Sequence, residues 1–283
     1  MREVAIIGAG DLGGAVAHAL ARSDVARIVT LIDDSAETQA VAAGKALDIA
    51  QAAPVEGFAT DITGSSDMYR AAGAELVVVA DRVRGGEWTS EDGLALLRRL
   101  QQLAPRAIVV WAGAGGRSTI ERAVLELNMS RRRLFGTAPE ALAGAARAMT
   151  GLALQGSPRD VALSVLGVPP DHLVIPWGDA TAGGFSIVRQ LEEPAKRRLE
   201  RTIASLWPPG PYALAAAATK AAAAIAGKTR QLVCGFVAPD TATGVRTRAA
   251  SMPLRLGPAG ILEVITPALS SSEQTALNNG ILL

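Results

Sequence analysis

Apolar and polar positions in the first half of the chain follow a repeating pattern, in which short apolar runs are separated by longer stretches with apolar residues three and four apart. The runs are VAIIG (4–8), RIVTLID (27–33), GFATDIT (57–63), AELVVVA (74–80), AIVVWAG (107–113) and a short RRLFG (132–136). Runs of this kind alternating with helical periodicity predict parallel strands, covered on both faces and joined by crossover helices. The helices are expected at 12–22, 36–52, 89–103 and 117–127, with Ser35 and Ser90 at N-cap or first-turn positions. Past residue 140 the pattern changes. Helical periodicity covers 139–155, 191–206 and the alanine-rich 213–227, whereas DVALSVLG (160–167) reads as one strand. Between 230 and 265 short apolar runs are broken by Gly and Pro, as in antiparallel strands. The expectation is a six-stranded doubly wound α/β domain over 1–140, followed by a mixed α+β domain over 141–283.

Composition narrows the function classes. With 283 residues, 49% of them hydrophobic, the chain is long enough for two cores. Its 28 Lys and Arg against 27 Asp and Glu leave a net charge of +1, which provides no electrostatic footprint for nucleic acid or an anionic membrane. The single cysteine, Cys234, excludes a disulfide framework within the chain and any CxxC metal site, and within QLVCGFV it reads as a buried, inert thiol. REVAIIG enters a strand pattern directly, with no signal-peptide or membrane-span pattern before it, so a cytoplasmic location is the expectation.

The segment Gly8-Ala-Gly10-Asp-Leu-Gly13 stands between the first predicted strand and the first helix. Glycines at this spacing permit a tight turn, close approach of backbone to a pyrophosphate, and close helix packing, while the helix start supplies free amides and partial positive charge. Gly8, Gly10, Asp11, Leu12 and Gly13 are the candidate pyrophosphate residues, and Ala80, ending the fourth strand, is expected beside them. Asp33, twenty residues beyond Gly13, is placed to accept hydrogen bonds from an adenosine ribose and to repel a 2′-phosphate, favouring NAD over NADP. A glycine turn with a purely structural role is the alternative. His18, on the first helix, reads as a residue on or near a packed helix face.

From these residues onward the sequence resembles the L-lactate/malate dehydrogenase family. Gly44-Lys-Ala-Leu-Asp48-Ile, DITGSSDMYRAAGAELVVVA (61–80), SPRDVALSVLG (157–167), GVRTRAASMPLRLGPAGILEVI (244–265) and LSSSEQTAL (269–277) carry the resemblance, in order, over nearly the whole chain. It implies a Rossmann domain with a C-terminal α+β domain, a homodimer or homotetramer, and hydride transfer between NAD and a small 2-hydroxy acid. That reaction requires a histidine base, a carboxylate to orient it, an arginine to polarise the carbonyl and another to clamp the substrate carboxylate.

Carried over residue by residue, the resemblance puts Leu142 at the orienting aspartate, Ala145 at the clamping arginine and Pro169 at the base. In the mobile loop that the resemblance implies after the fourth strand, Arg84 matches the first arginine, and Ser90 stands at the second. The asparagine that the family places after its fifth strand falls in Ala112-Gly-Ala-Gly-Gly116. Candidates for a rebuilt site are Arg84, Arg117, Arg147 and His172. Arg117 reads either as a contact to a phosphate or carboxylate or as a solvated helix-start residue, and Arg147 as a structural ion pair or an anion contact. His172 is read as structural, ligand-contacting or catalytic. Polyproline-like geometry at Pro169-Pro170 would set it roughly 9 Å from the base position. Two functions follow: a family member that binds NAD and has lost the chemistry, or an active NAD-dependent oxidoreductase with an unusual substrate.

Overall fold

The computed structural model describes residues 1–35, 38–240 and 248–282. The elements run β1 (Glu3–Ile7), α1 (Asp11–Arg22), β2 (Ile28–Ile32), α2 (Gln39–Glu56), β3 (Asp61–Ser65), β4 (Leu76–Val79), α3 (Ser90–Leu103), β5 (Ile108–Trp111), α4 (Arg117–Glu126) and β6 (Leu134–Gly136). They continue with α5 (Ala138–Ala153), β7 (Val161–Ala162), β8 (Leu166–Val168), β9 (His172–Val174), β10 (Thr181–Ala182), β11 (Phe185–Ser186), α6 (Glu193–Ala204) and α7 (Pro211–Ile225). The chain closes with β12 (Val233–Val237), β13 (Ala250–Gly257), β14 (Gly260–Val264) and α8 (Ser271–Leu282).

The first six strands form a parallel sheet in the order β3-β2-β1-β4-β5-β6, the doubly wound arrangement expected from the alternating pattern. The central strands β1, β4 and β5 are buried almost throughout, as apolar strands covered on both faces must be. The sheet does not stop there. Strand β12 pairs antiparallel with β6 through Phe236 and Gly136, and β13, β8 and β9 extend the same sheet. Helix α7 explains the alanine run: Ala215, Ala218, Ala221 and Ala222 are buried, small side chains that let it lie close against α1 and α5. A second core, around Leu142, Val165, Ile175 and Trp177, joins α5 to the segments after it.

Three sequence expectations are corrected. The third strand begins at Asp61 rather than at residue 57, because Gly57, at φ +78°, caps α2 and the amides of Ala59 and Thr60 donate to the Asp24 carboxylate at 2.9 and 3.0 Å. Helix α2 continues through Pro54 to Glu56 instead of ending at 52; residues 36–37 of the predicted start lie outside the described residues. The single strand expected at 160–167 is two strands in different sheets: β7 pairs with β10, and β8 pairs with β9 and β13. Between them the backbone of Val165 is held by a donated bond to Cys234 Sγ at 3.4 Å and one accepted from Ser251 Oγ at 2.5 Å. Residues 244–247 of the C-terminal segment also lie outside the described residues.

Candidate functional site

The turn after β1 is shaped by contacts that exclude side chains. A Cβ on Gly8, at φ +103°, would lie 2.3 Å from the Asp81 carbonyl oxygen, and one on Gly13 would lie 2.0 Å from that of Gly8. The loop therefore packs against the end of β4, with buried Ala80 beneath Gly13. At the start of α1 the amides of Asp11 and Leu12 have no acceptor among the described residues. Lys45 Nζ donates to the Gly10 carbonyl at 2.7 Å and lies 3.9 Å from Asp11 Oδ1, bringing a cation to the loop. Free amides at a helix start beside a lysine match the chemistry of a dinucleotide's pyrophosphate, so this part of the site fits the cofactor.

The carboxylates around that loop are less simple. Asp33 directly follows β2, whose last residue is Ile32, and it is only 4% exposed. Its Oδ2 accepts from the amides of Ala9 and Val83, both at 3.2 Å, and its Oδ1 from Thr38 Oγ1 at 2.7 Å. Asp81, directly after Ala80, accepts from the Gly13 amide at 2.9 Å. Glu87 accepts from the amides of Ala114 and Gly115 at 2.9 and 2.7 Å, in the turn between β5 and α4. Five backbone amides at the carboxyl edge of the parallel sheet, those of Ala9, Gly13, Val83, Ala114 and Gly115, are thus bonded to the chain's own acids. The loop between β4 and α3 is also tied to itself: the Arg82 amide donates to the Gly86 carbonyl at 2.9 Å, and the Arg82 guanidinium lies 4.7 Å from the centre of the Trp88 ring.

The substrate side has a different character. Leu142 and Ala143 are 0% exposed within the second core, whereas Ala145 is half-buried. Pro169 caps a hairpin in which Val168 pairs across from His172 and Gly167 from Leu173. This corrects the extended geometry expected at the two prolines: the chain folds back, and His172 lies on a strand. A Cβ added to Gly280 of α8 would come within 2.7 Å of His172 Cβ, so the histidine faces that helix. Its imidazole has no hydrogen-bond or ion-pair partner among the described residues.

The other candidates are dispersed. Arg84 is exposed on the loop after β4. Arg117 donates to the Ala249 carbonyl at 3.2 Å, a brace between α4 and the start of β13; burial, then repulsion from Arg248, lowers its pKa. Arg147 pairs with Glu140 at 2.9 Å, and Lys220 reaches the same oxygen at 2.6 Å. Burial disfavours the charge on Arg147, but Glu140 outweighs it and raises the pKa. Glu140 is 3% exposed, and its other oxygen accepts from the Cys234 amide at 2.8 Å. His18 pairs with Glu56 at 3.0 Å.

Sequence reasoning missed Lys45, Asp81 and Glu87 as parts of the cleft. The Gly44-Lys motif pointed at Lys45, but nothing in the spacing connected Asp81 to a glycine 68 positions earlier.

No family model matches the chain. The malate dehydrogenase of Thioalkalivibrio sulfidiphilus is 30% identical over 292 residues, covering 97% of this chain and 94% of the relative. That of Desulforudis audaxviator is 29% identical over 300 residues, covering 99% and 95%. Among solved structures, the malate dehydrogenase of Salinibacter ruber superposes with a TM-score of 0.87 at 23% identity, covering 98% of this chain and 93% of that one. The lactate dehydrogenase of Cryptosporidium parvum complexed with lactic acid and nicotinamide adenine dinucleotide gives 0.87 at 19% identity, covering 99% and 95%. The parallel sheet with its glycine turn, its antiparallel extension and end-to-end similarity to these proteins agree, and the chain belongs to the L-lactate/malate dehydrogenase family of oxidoreductases.

Proposed function

We propose that this chain is a dinucleotide-binding member of the family that no longer performs its hydride transfer. The reading is carried by Pro169 at the position of the base, a side chain with no proton-accepting atom. Burial of Leu142 in an apolar core, Ala145 at the clamp and Ser90 in the loop support it. His172 faces α8 and is not paired with a carboxylate, so nothing in the described residues orients it as a substitute.

NAD is the proposed cofactor. When bound it would supply a hydride acceptor or donor; this chain's part is to hold it, with Gly8, Gly10 and Gly13 shaping the turn and the amides of Asp11 and Leu12 receiving the pyrophosphate. The negative charge on Asp33 favours NAD over NADP. We place the division between the nucleotide and C-terminal domains near residue 140, in a homodimer or homotetramer, within the cytoplasm. Exposed Leu47 and Val55 on α2 support association with a second copy.

An active oxidoreductase with a rebuilt site is favoured only by Arg84, which keeps a family cation exposed on the loop after β4. A small carboxylate ligand at this loop fits either reading. The test is purified protein with NADH and a panel of 2-oxo acids, aldehydes and ketones. The expected result is NADH binding by calorimetry without oxidation. Reproducible turnover that Arg84→Ala or His172→Ala abolishes would refute the non-catalytic reading.

A further inference from the structure

We propose that the carboxylates of Asp81 and Glu87 set the chain's affinity for a dinucleotide, by occupying from within the backbone positions that the ligand's pyrophosphate side must approach. The inference rests on the reading that the glycine loop binds a dinucleotide.

The glycine motif reserves space at Gly10 so that a pyrophosphate can come close to the backbone. In this chain that space holds a carboxylate. A Cβ on Gly10 would lie 2.4 Å from Asp81 Oδ2 and 2.5 Å from Oδ1, and the same group accepts the Gly13 amide at 2.9 Å. Gly113, after β5, repeats the arrangement: its missing Cβ would lie 2.5 Å from Glu87 Oε2, while the next two amides, of Ala114 and Gly115, donate to Glu87. Neither acid forms an ion pair with a cation among the described residues; Lys45, the cation at this loop, is bonded to the Gly10 carbonyl. A dianionic ligand at this edge meets two like charges on amides and glycines that would otherwise face it. Asp81 acts at the loop itself, and Glu87 also fastens the loop after β4 across the turn after β5. Asp81 therefore has the larger effect.

The experiment is calorimetric titration of the folded full chain, as wild type, Asp81→Asn, Asp81→Ala and Glu87→Gln, with NADH, ADP and adenosine as separate probes. Asparagine keeps an oxygen to accept the Gly13 amide and removes only the charge. Asp81→Asn is expected to tighten NADH and ADP by about tenfold or more, the scale of removing one like charge from a partly buried site. Glu87→Gln should tighten them several-fold less, and neutral adenosine should not respond. Asp81→Ala should tighten NADH while lowering the Tm of the free protein, opposite signs that a merely structural cap would not produce. Equal NADH affinity in wild type and Asp81→Asn, or weaker affinity in the variant, overturns the inference and leaves dinucleotide binding standing. Binding by the variants alone upholds it and overturns dinucleotide binding by the native chain. Absence of binding in every folded variant overturns both.

Discussion

Along the nucleotide edge of the cleft, backbone amides meet buried or half-buried carboxylates, Asp33, Asp81 and Glu87, at the ends of apolar strands. Along the substrate edge, the positions that would handle charge hold Leu142, Ala145 and Pro169, and the first of these is packed among Val165, Ile175 and Trp177. The difference teaches where reversal is easy. An acid on loop amides can lose its charge to an isosteric amide with its hydrogen bonds largely preserved. A leucine in a close-packed core can accept a charge only if the core opens.

The largest expected effect follows from that contrast. Leu142→Ala leaves a cavity and should cost about 2–5 kcal/mol. Leu142→Asp, which restores the family's side chain, should cost about 2–3 kcal/mol more than the alanine variant, because an unpaired carboxylate is then buried. Urea unfolding of both variants measures the gap, which should narrow as the pH falls and the new carboxyl protonates. Equal stability at neutral pH would mean that the site is wet and polar, and the contrast between the two edges would fail.

How far the sequence carried the fold depends on the range of the interactions that built each part. Strands β1, β2, β4 and β5 and helices α1, α3 and α4 were legible because each is set by local periodicity and by glycines or caps within a few residues. The glycine turn and Pro169 were legible through motif register. Three features were not. The segment 160–167 divides because Cys234 and Ser251, distant in sequence, hold Val165 between two sheets. The two prolines read as extended chain, yet pairing of β8 with β9 and packing on α8 turn them into a hairpin. Asp81 and Glu87 read as ordinary loop acids, since their acceptor role appears only when the ends of β1, β4 and β5 are brought side by side.

The second prediction concerns Glu140, a buried acid on the C-terminal side. Glu140 receives Arg147, Lys220 and the Cys234 amide, so Glu140→Gln leaves two cations facing a neutral group. A loss of about 3 kcal/mol is expected, since removing one partner strands the others in a poorly hydrated place. The exposed pair Arg122–Glu126, at 2.6 Å on α4, provides the contrast: water screens it, and Glu126→Gln should leave stability nearly unchanged. Thermal or denaturant unfolding decides between them. Equal effects would mean that Glu140 is solvated in solution, and that the C-terminal side is no drier than the surface.

The effect with the narrowest reach is confined to the alkaline side of the stability curve and vanishes at neutral pH. Cys234 is buried; desolvation first, then the charge of Glu140, push its thiol from 9.0 up to about 12. An acid whose folded pKa is raised favours the folded state fully below the unfolded value, and loses that advantage as the pH rises towards the folded one. Cys234 should therefore steepen the fall in stability between pH 9 and about 12, because the unfolded thiol ionises while the folded one does not. Cys234→Ala should flatten that limb relative to its own value at pH 7, whatever it costs in packing there. The same burial predicts that a thiol-specific disulfide reagent at pH 8 reacts only as fast as the protein opens, and at the full rate of a free thiol in urea. Rapid reaction of the native protein, with an unchanged alkaline limb in Cys234→Ala, would place water beside Glu140 and Cys234. The C-terminal side would then resemble the polar nucleotide edge instead of opposing it.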